Sequence, residues 1–204
     1  NISSLRKNLN KYLKAQGNQI LKTNSLKLAN LILKKKKTNL VLLNYTPKLE
    51  KFLNWYQQLI AESLGKKQKG FFPVLSNVPK DHHSLLQLYL DGPKDKLFYI
   101  FSVKDFGKHK IKTKRFGSNL GYLNNKNLSE IKEAQKQALK NSFYLNKISF
   151  VEFNIKKKDE ETLGELFSYF MLETIFIGNL IGVNPFDQNA VEQVKILTKK
   201  ELSK

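Results

Sequence analysis

Residues 96–103 read KLFYIFSV, and this run decides the fold class. A strand with one wet face alternates apolar and polar side chains. This one is almost continuously apolar, the pattern of a strand covered on both faces, as in a parallel sheet. Working outward, NLVLLNYT (39–46) is a second apolar run of strand length, stopped by Pro47, and ISFVEFNI (148–155) is a third. GFFPVLSN (70–77) is an apolar piece bounded by Gly and Pro. Between these runs the apolar period changes to that of a helix. Leu49, Phe52, Leu53, Tyr56, Leu59 and Ile60 form one stripe over 47–63, with Pro47 suited to the first helical turn. Residues 81–91 make a short helix ended by Gly92-Pro93, 127–146 a longer one capped by Asn127 or Ser129, and 159–181 a long apolar one. Residues 3–16 and 24–37 read as amphipathic helices, the second capped by Thr23-Asn24-Ser25, and 104–126 as a Gly-rich loop region. Strands alternating with helices define an α/β chain, a parallel β-sheet sandwiched by helices.

The chain has 204 residues, enough for a sizeable core, and 41% apolar content is ordinary for a folded protein. It has no cysteine, so neither a disulfide framework nor a thiolate metal site is available; a reducing, cytoplasmic setting is the expectation. No apolar run is long enough to span a bilayer and no signal peptide opens the sequence, so no membrane partner is expected. The start at Asn1, without an initiator Met, reads as a piece of something longer or as a processed or trimmed chain. A formal charge of +19 invites a nucleic-acid partner. Against that, Arg6 and Arg115 are the only arginines, whereas readers of bases and phosphates favour the arginine fork. The lysine excess travels with Asn, Ile and Leu, as in an AT-rich coding sequence, and the expectation is no nucleic acid.

The last quarter carries GNLIGVNPFDQNAVEQVK (178–195). Asp187 is placed to cap a helix over 188–203, with Phe186 and Val191 at the spacing of a hydrophobic staple. Ala190, Val191, Val194 and Leu197 share a face that would pack inward. Gln188 and Lys195 lie two turns apart on one flank, where a surface helix could carry any polar residue. In WYQQLIAESLGK (55–66), Gln58 and Glu62 share a face away from the apolar stripe. A solvated polar face explains that too, but Glu62 falls where the helix ends, and a carboxylate in a last turn opposes the helix dipole. The three histidines, His82, His83 and His109, lack metal-ligand spacing, and adjacent histidines cannot face the same side of a helix. No metal site, nucleophilic triad or Gly-rich phosphate loop stands out.

Three segments together resemble the glucose-6-phosphate isomerase (phosphoglucose isomerase) family, in the family's order. QQLIAESLGK resembles the segment of the catalytic glutamate, which places that role on Glu62. DHHSLLQLYLDGP resembles the segment of the catalytic histidine, and the spacing to the following Gln points to His83 rather than His82. The stretch from Gly178 to Lys195 resembles the C-terminal signature, placing a catalytic lysine at Lys195 and sugar-phosphate contacts at Gln188 and Gln58. The resemblance implies a sugar-isomerase (SIS-type) αβα domain over 39–180. A helical segment (1–38) would lead in from a first such domain, and a C-terminal helix (181–204) would carry the lysine. It implies aldose–ketose isomerisation of glucose 6-phosphate and fructose 6-phosphate through a cis-enediol, without metal or organic cofactor. It also implies a homodimer in which His83 crosses the interface. The family's Gly-Gly-Arg motif and its Ser/Thr-rich phosphate loop are not in these residues. Loss of a fixed positive charge at a developing oxyanion typically costs about 10²–10³ in rate, so the 204 residues alone are expected to be inactive or nearly so. The rival readings are a non-catalytic phosphosugar-binding regulatory domain and a basic nucleic-acid module.

Overall fold

A computed structural model describes residues 1–8, 10–14, 18–104, 107, 109–113 and 118–204. Arg115 and part of the expected 104–126 loop lie outside the described residues. In chain order the elements are α1 (Ile2–Arg6), α2 (Asn18–Leu33), β1 (Asn39–Asn44), α3 (Glu50–Leu64), β2 (Phe72–Asn77), α4 (His82–Asp91), β3 (Lys96–Val103), α5 (Leu128–Leu145), β4 (Phe150–Ile155), α6 (Glu160–Ile181) and α7 (Asn189–Leu202). The fold is α/β: a four-stranded parallel sheet in the order β2-β1-β3-β4, with helices on both sides.

The chain divides into two compact units. One comprises residues 39–54 and 74–159. Here β3 lies between β1 and β4, with Phe98 opposite Val41 on one side and Phe150 on the other. That central place is why 96–103 is apolar without alternation: both faces are buried from Leu97 to Val103. Val41, Leu43 and Tyr45 of the β1 run join Phe98 and Ile100 under Tyr89 of α4 and Leu139 and Phe143 of α5. The Phe98 ring sits 4.6 Å from Phe143 and 5.0 Å from Tyr89. Asn127 opens α5 through a capping box: its Oδ1 accepts from the Glu130 amide at 2.8 Å, and Glu130 Oε2 accepts from the Asn127 amide at 2.9 Å. Lys136, only 3% exposed, donates to Ser102 Oγ and pairs with Glu133 and Glu152, so its buried charge is compensated.

The other unit comprises residues 1–38, 55–73 and 160–204. Helices α1 and α2 pack on α6. A side chain at Gly164 would put its Cβ 1.9 Å from the Leu5 carbonyl oxygen, so only glycine permits that approach. Lys7 and Lys11 reach the acidic first turns of α6 at Glu161 and Glu165. Deeper, the fully buried Glu173 accepts from Tyr56 Oη and Tyr169 Oη, both at 3.0 Å, and Tyr169 Oη accepts in turn from Asn24. Burial and the Glu173 charge push the Tyr169 hydroxyl far above its ordinary range. Among the described residues no helix is long and apolar enough to cross a membrane.

Four local expectations are corrected. The 3–16 helix is broken into α1 and a single turn at 11–13. Asn24 and Ser25 lie inside α2, which begins at Asn18; their polar groups are occupied by Tyr169 Oη and the Leu21 carbonyl rather than by helix-end amides. Asp187 does not cap α7. The N-cap is Gln188, and the Asp187 carboxylate is taken by Lys66 and Asn184. Nor does the α7 stripe pack inward: Phe186 is 76% exposed, Val194 64%, and no α7 residue is buried. The staple therefore has nothing to close against.

Candidate active site

Glu62 stands in the last turn of α3, partly buried. Its place is set from both sides by amide groups. Gln58, one turn earlier on the same face, donates from Nε2 to Glu62 Oε1 at 2.9 Å. Gln188, 126 residues later, donates from Nε2 to Glu62 Oε2 at 2.8 Å. Each carboxylate oxygen thus accepts one N–H, and rotation of the group about its Cγ–Cδ bond would break both bonds. The charge opposed by the helix dipole is stabilised by these two donors instead.

Gln188 reaches Glu62 because α6 stops abruptly. Gly182, at φ +72°, ends that helix in a Schellman motif, its amide bonding the Asn179 carbonyl and the Val183 amide the Gly178 carbonyl. Pro185 then folds back onto Gly178, where a Cβ would stand 3.1 Å from the proline ring. Asn184 Oδ1 accepts from the Phe186 amide, tightening the turn. The lysines that follow α3 hold this connector. Lys69 Nζ donates to the Ile181 carbonyl at 2.6 Å, Lys67 to Gly182 at 3.3 Å and Lys66 to Asn184 at 2.5 Å, and Lys66 pairs with Asp187 at 2.9 Å. The Lys66 ammonium holds the Asp187 carboxyl below its ordinary range.

The structure therefore brings Gln58, Glu62 and Gln188 into one hydrogen-bonded group. Lys195 is exposed on α7 and paired with Glu192 at 2.6 Å. His83 is exposed in the first turn of α4, in the unit that holds the sheet. Its neighbour His82 is half-buried: Nε2 lies 3.2 Å from Tyr45 Oη and the two rings meet edge to face. Burial lowers the His82 pKa, with Asp81 opposing. Sequence reasoning missed Lys66 and set His82 aside in favour of His83. The lysine run after Gly65 was the available signal for the first; nothing local distinguished the second.

A cleft of about 590 Å³ opens in the sheet unit, lined among others by Lys104, Asn127, Glu133, Lys136 and Asn154. None of the five expected site residues lines it, and its buried lysine is already matched by carboxylates.

No family model matches the chain. It is similar to curated proteins named as glucose-6-phosphate isomerases. With that of Campylobacter jejuni it shares 37% identity over 168 residues, 80% of this chain and 41% of the relative. With a probable one of Methanococcus maripaludis it shares 38% over 159 residues, 78% of this chain and 36% of the relative. Among solved structures, a hypothetical protein of Thermus thermophilus superposes over the whole chain and half of its own, with TM-score 0.84 and 27% identity. The Chlamydia trachomatis glucose-6-phosphate isomerase superposes over 98% of this chain and 42% of its own, with TM-score 0.74 and 18% identity, a likeness of fold.

Proposed function

Since this chain is related by sequence to the glucose-6-phosphate isomerases and spans about two-fifths of the length of the curated relatives, we propose that it supplies the base-bearing part of such an enzyme. The reaction is the reversible isomerisation of glucose 6-phosphate and fructose 6-phosphate through a cis-enediol. The observation that carries this reading is the Glu62 carboxylate fixed by one amide on each oxygen. Isomerisation moves one proton between C2 and C1, so it needs a single base in reach of both carbons and fixed in direction. A carboxylate whose oxygens each keep a lone pair, and whose rotation is blocked, meets that need.

Glu62 takes the C2 proton, leaving a cis-enediolate, and returns it to C1 while the O2 hydroxyl proton passes to O1. Ring opening before it needs an acid and a base at the ring oxygen and the anomeric hydroxyl. His83 and Lys195 take those parts, Lys195 leaving Glu192 for the sugar. Gln58 and Gln188 contact the sugar phosphate as well as the base. His83 serves the site of the partner subunit in a homodimer. The chemistry is proton transfer alone, so no cofactor is called for, and the setting is cytoplasmic. The 1–38, 39–180 and 181–204 division remains the proposed domain plan.

The test compares the full gene product with its Glu62→Gln variant in both directions of the isomerisation. The variant keeps the shape and one acceptor but has no base, and kcat is expected to fall by about 10³-fold with KM within a few-fold. Equal turnover in parent and variant would remove Glu62 from the chemistry. Sugar-phosphate binding without turnover in either would favour a regulatory binding domain.

A further inference from the structure

The three lysines just after Glu62 do something that neither composition nor the proposed chemistry requires. Lys66, Lys67 and Lys69 all turn their ammonium groups onto carbonyl oxygens of one short segment, 181–184. Ile181 is the last residue of α6, so Lys69 satisfies a helix-end acceptor at the negative end of the dipole, while Lys67 and Lys66 hold the connector that follows. Lys66 goes further. Its amine bridges the Asn184 carbonyl and the Asp187 carboxylate, and Asn184 Nδ2 donates to the other oxygen of Asp187 at 3.0 Å. The next residue is Gln188, which bonds Glu62. Lys66 lies four residues after Glu62 and its side chain is only 17% exposed. Glu62 and Lys66 thus engage adjacent residues, 188 and 187, from positions four apart in sequence, Glu62 in the last turn of α3 and Lys66 just past its end.

We propose that Lys66 is a positioning residue for the isomerase base: its bridge to Asn184 and Asp187 fixes the start of α7 so that Gln188 holds the Glu62 carboxylate. This rests on the reading of Glu62 as the base. Lys67 and Lys69 anchor the helix end behind it. The bridge sets the direction of the carboxylate and touches no substrate. Its loss lets Gln188 drift, and a misplacement of about 1 Å can cost on the order of 10²-fold in rate.

The experiment uses the full gene product with Lys66→Met, Lys66→Arg and Glu62→Gln, measuring kcat, KM and the isotope effect on kcat with glucose 6-phosphate deuterated at C2. Lys66→Met is expected to lower kcat by about 10- to 100-fold with KM within about threefold, and to raise the isotope effect as proton transfer becomes the slow step. Lys66→Arg, which keeps charge and donors, restores most of the rate. A merely structural lysine would lower the active fraction and leave the isotope effect unchanged; that result, or a parent-like kcat, overturns the inference while a collapsed Glu62→Gln leaves the base standing. A fully active Glu62→Gln removes both. Should Lys66→Met not fold, Asp187→Asn breaks the same ion pair from the other side and is expected to give the same raised isotope effect; an unchanged one overturns the inference.

Discussion

Two adjacent histidines have different surroundings. His83 is exposed, while His82 is half-buried beside Tyr45 Oη, and burial lowers its pKa from the ordinary 6.5. The unfolded chain therefore takes up a proton near pH 6.5 that folded His82 accepts only at lower pH. Stability contributed by neutral His82 is full above about 6.5 and is lost as pH falls through the window below it, with Asp81 moderating the loss. Replacing His82 by Gln should flatten the change in unfolding free energy between pH 7 and pH 5 relative to the parent. Denaturant titrations at several pH values measure it, and parallel slopes would contradict it. The sequence showed this pair but could not rank the two rings by burial. The family resemblance chose His83, and only the Tyr45 contact shows what His82 does.

At the scale of elements, the α1–α6 contact hangs on one missing side chain. Gly164→Ala brings a Cβ within 1.9 Å of the Leu5 carbonyl oxygen, and backbone cannot yield as a flexible side chain can. The alanine gains about 1 kcal/mol of helix propensity in α6, and overpacking costs about 1–3 kcal/mol. The expected outcome is a net lower melting temperature and faster tryptic cleavage in residues 1–13 as α1 lifts away. A variant as resistant and as stable as the parent would show that α1 is not held there. Elements whose signals are local were legible in the sequence: β3 spans the 96–103 apolar run, and Asn127 opens α5 as a cap. Elements whose polar residues found distant partners were not. Ser25 and Asn24 look like caps until Leu21 and Tyr169 claim them, and Asp187 looks like one until Lys66 does.

For the molecule as a whole, the relatives are more than twice as long as the segment they share with this chain. The apolar side of α7, with Val194 and Leu197 each more than half exposed, carries no buried residue. On the proposed function, these residues hold a base, a histidine and a lysine but neither an arginine for the enediolate nor a phosphate cradle. The 204 residues alone should turn over at least about 10²-fold more slowly than the full gene product under the same assay. Comparable turnover by both would place the whole reaction within this chain.

The sequence by itself determined the α/β class, three of the four strands and most helices, and its resemblance to the isomerase family named the residues to test. Those follow from apolar period and short motifs, which act over a few residues. The tertiary structure alone decided that Gln188 meets Glu62, that Lys66 meets Asp187, that Lys136 is buried among carboxylates, and that α7 keeps its apolar side outside. The reason is physical: a local pattern fixes which face a residue lies on. Which of many lysines finds a given carboxylate, far along the chain for Lys66 and Asp187, depends on how α6 ends at Gly182 and where the chain turns at Pro185.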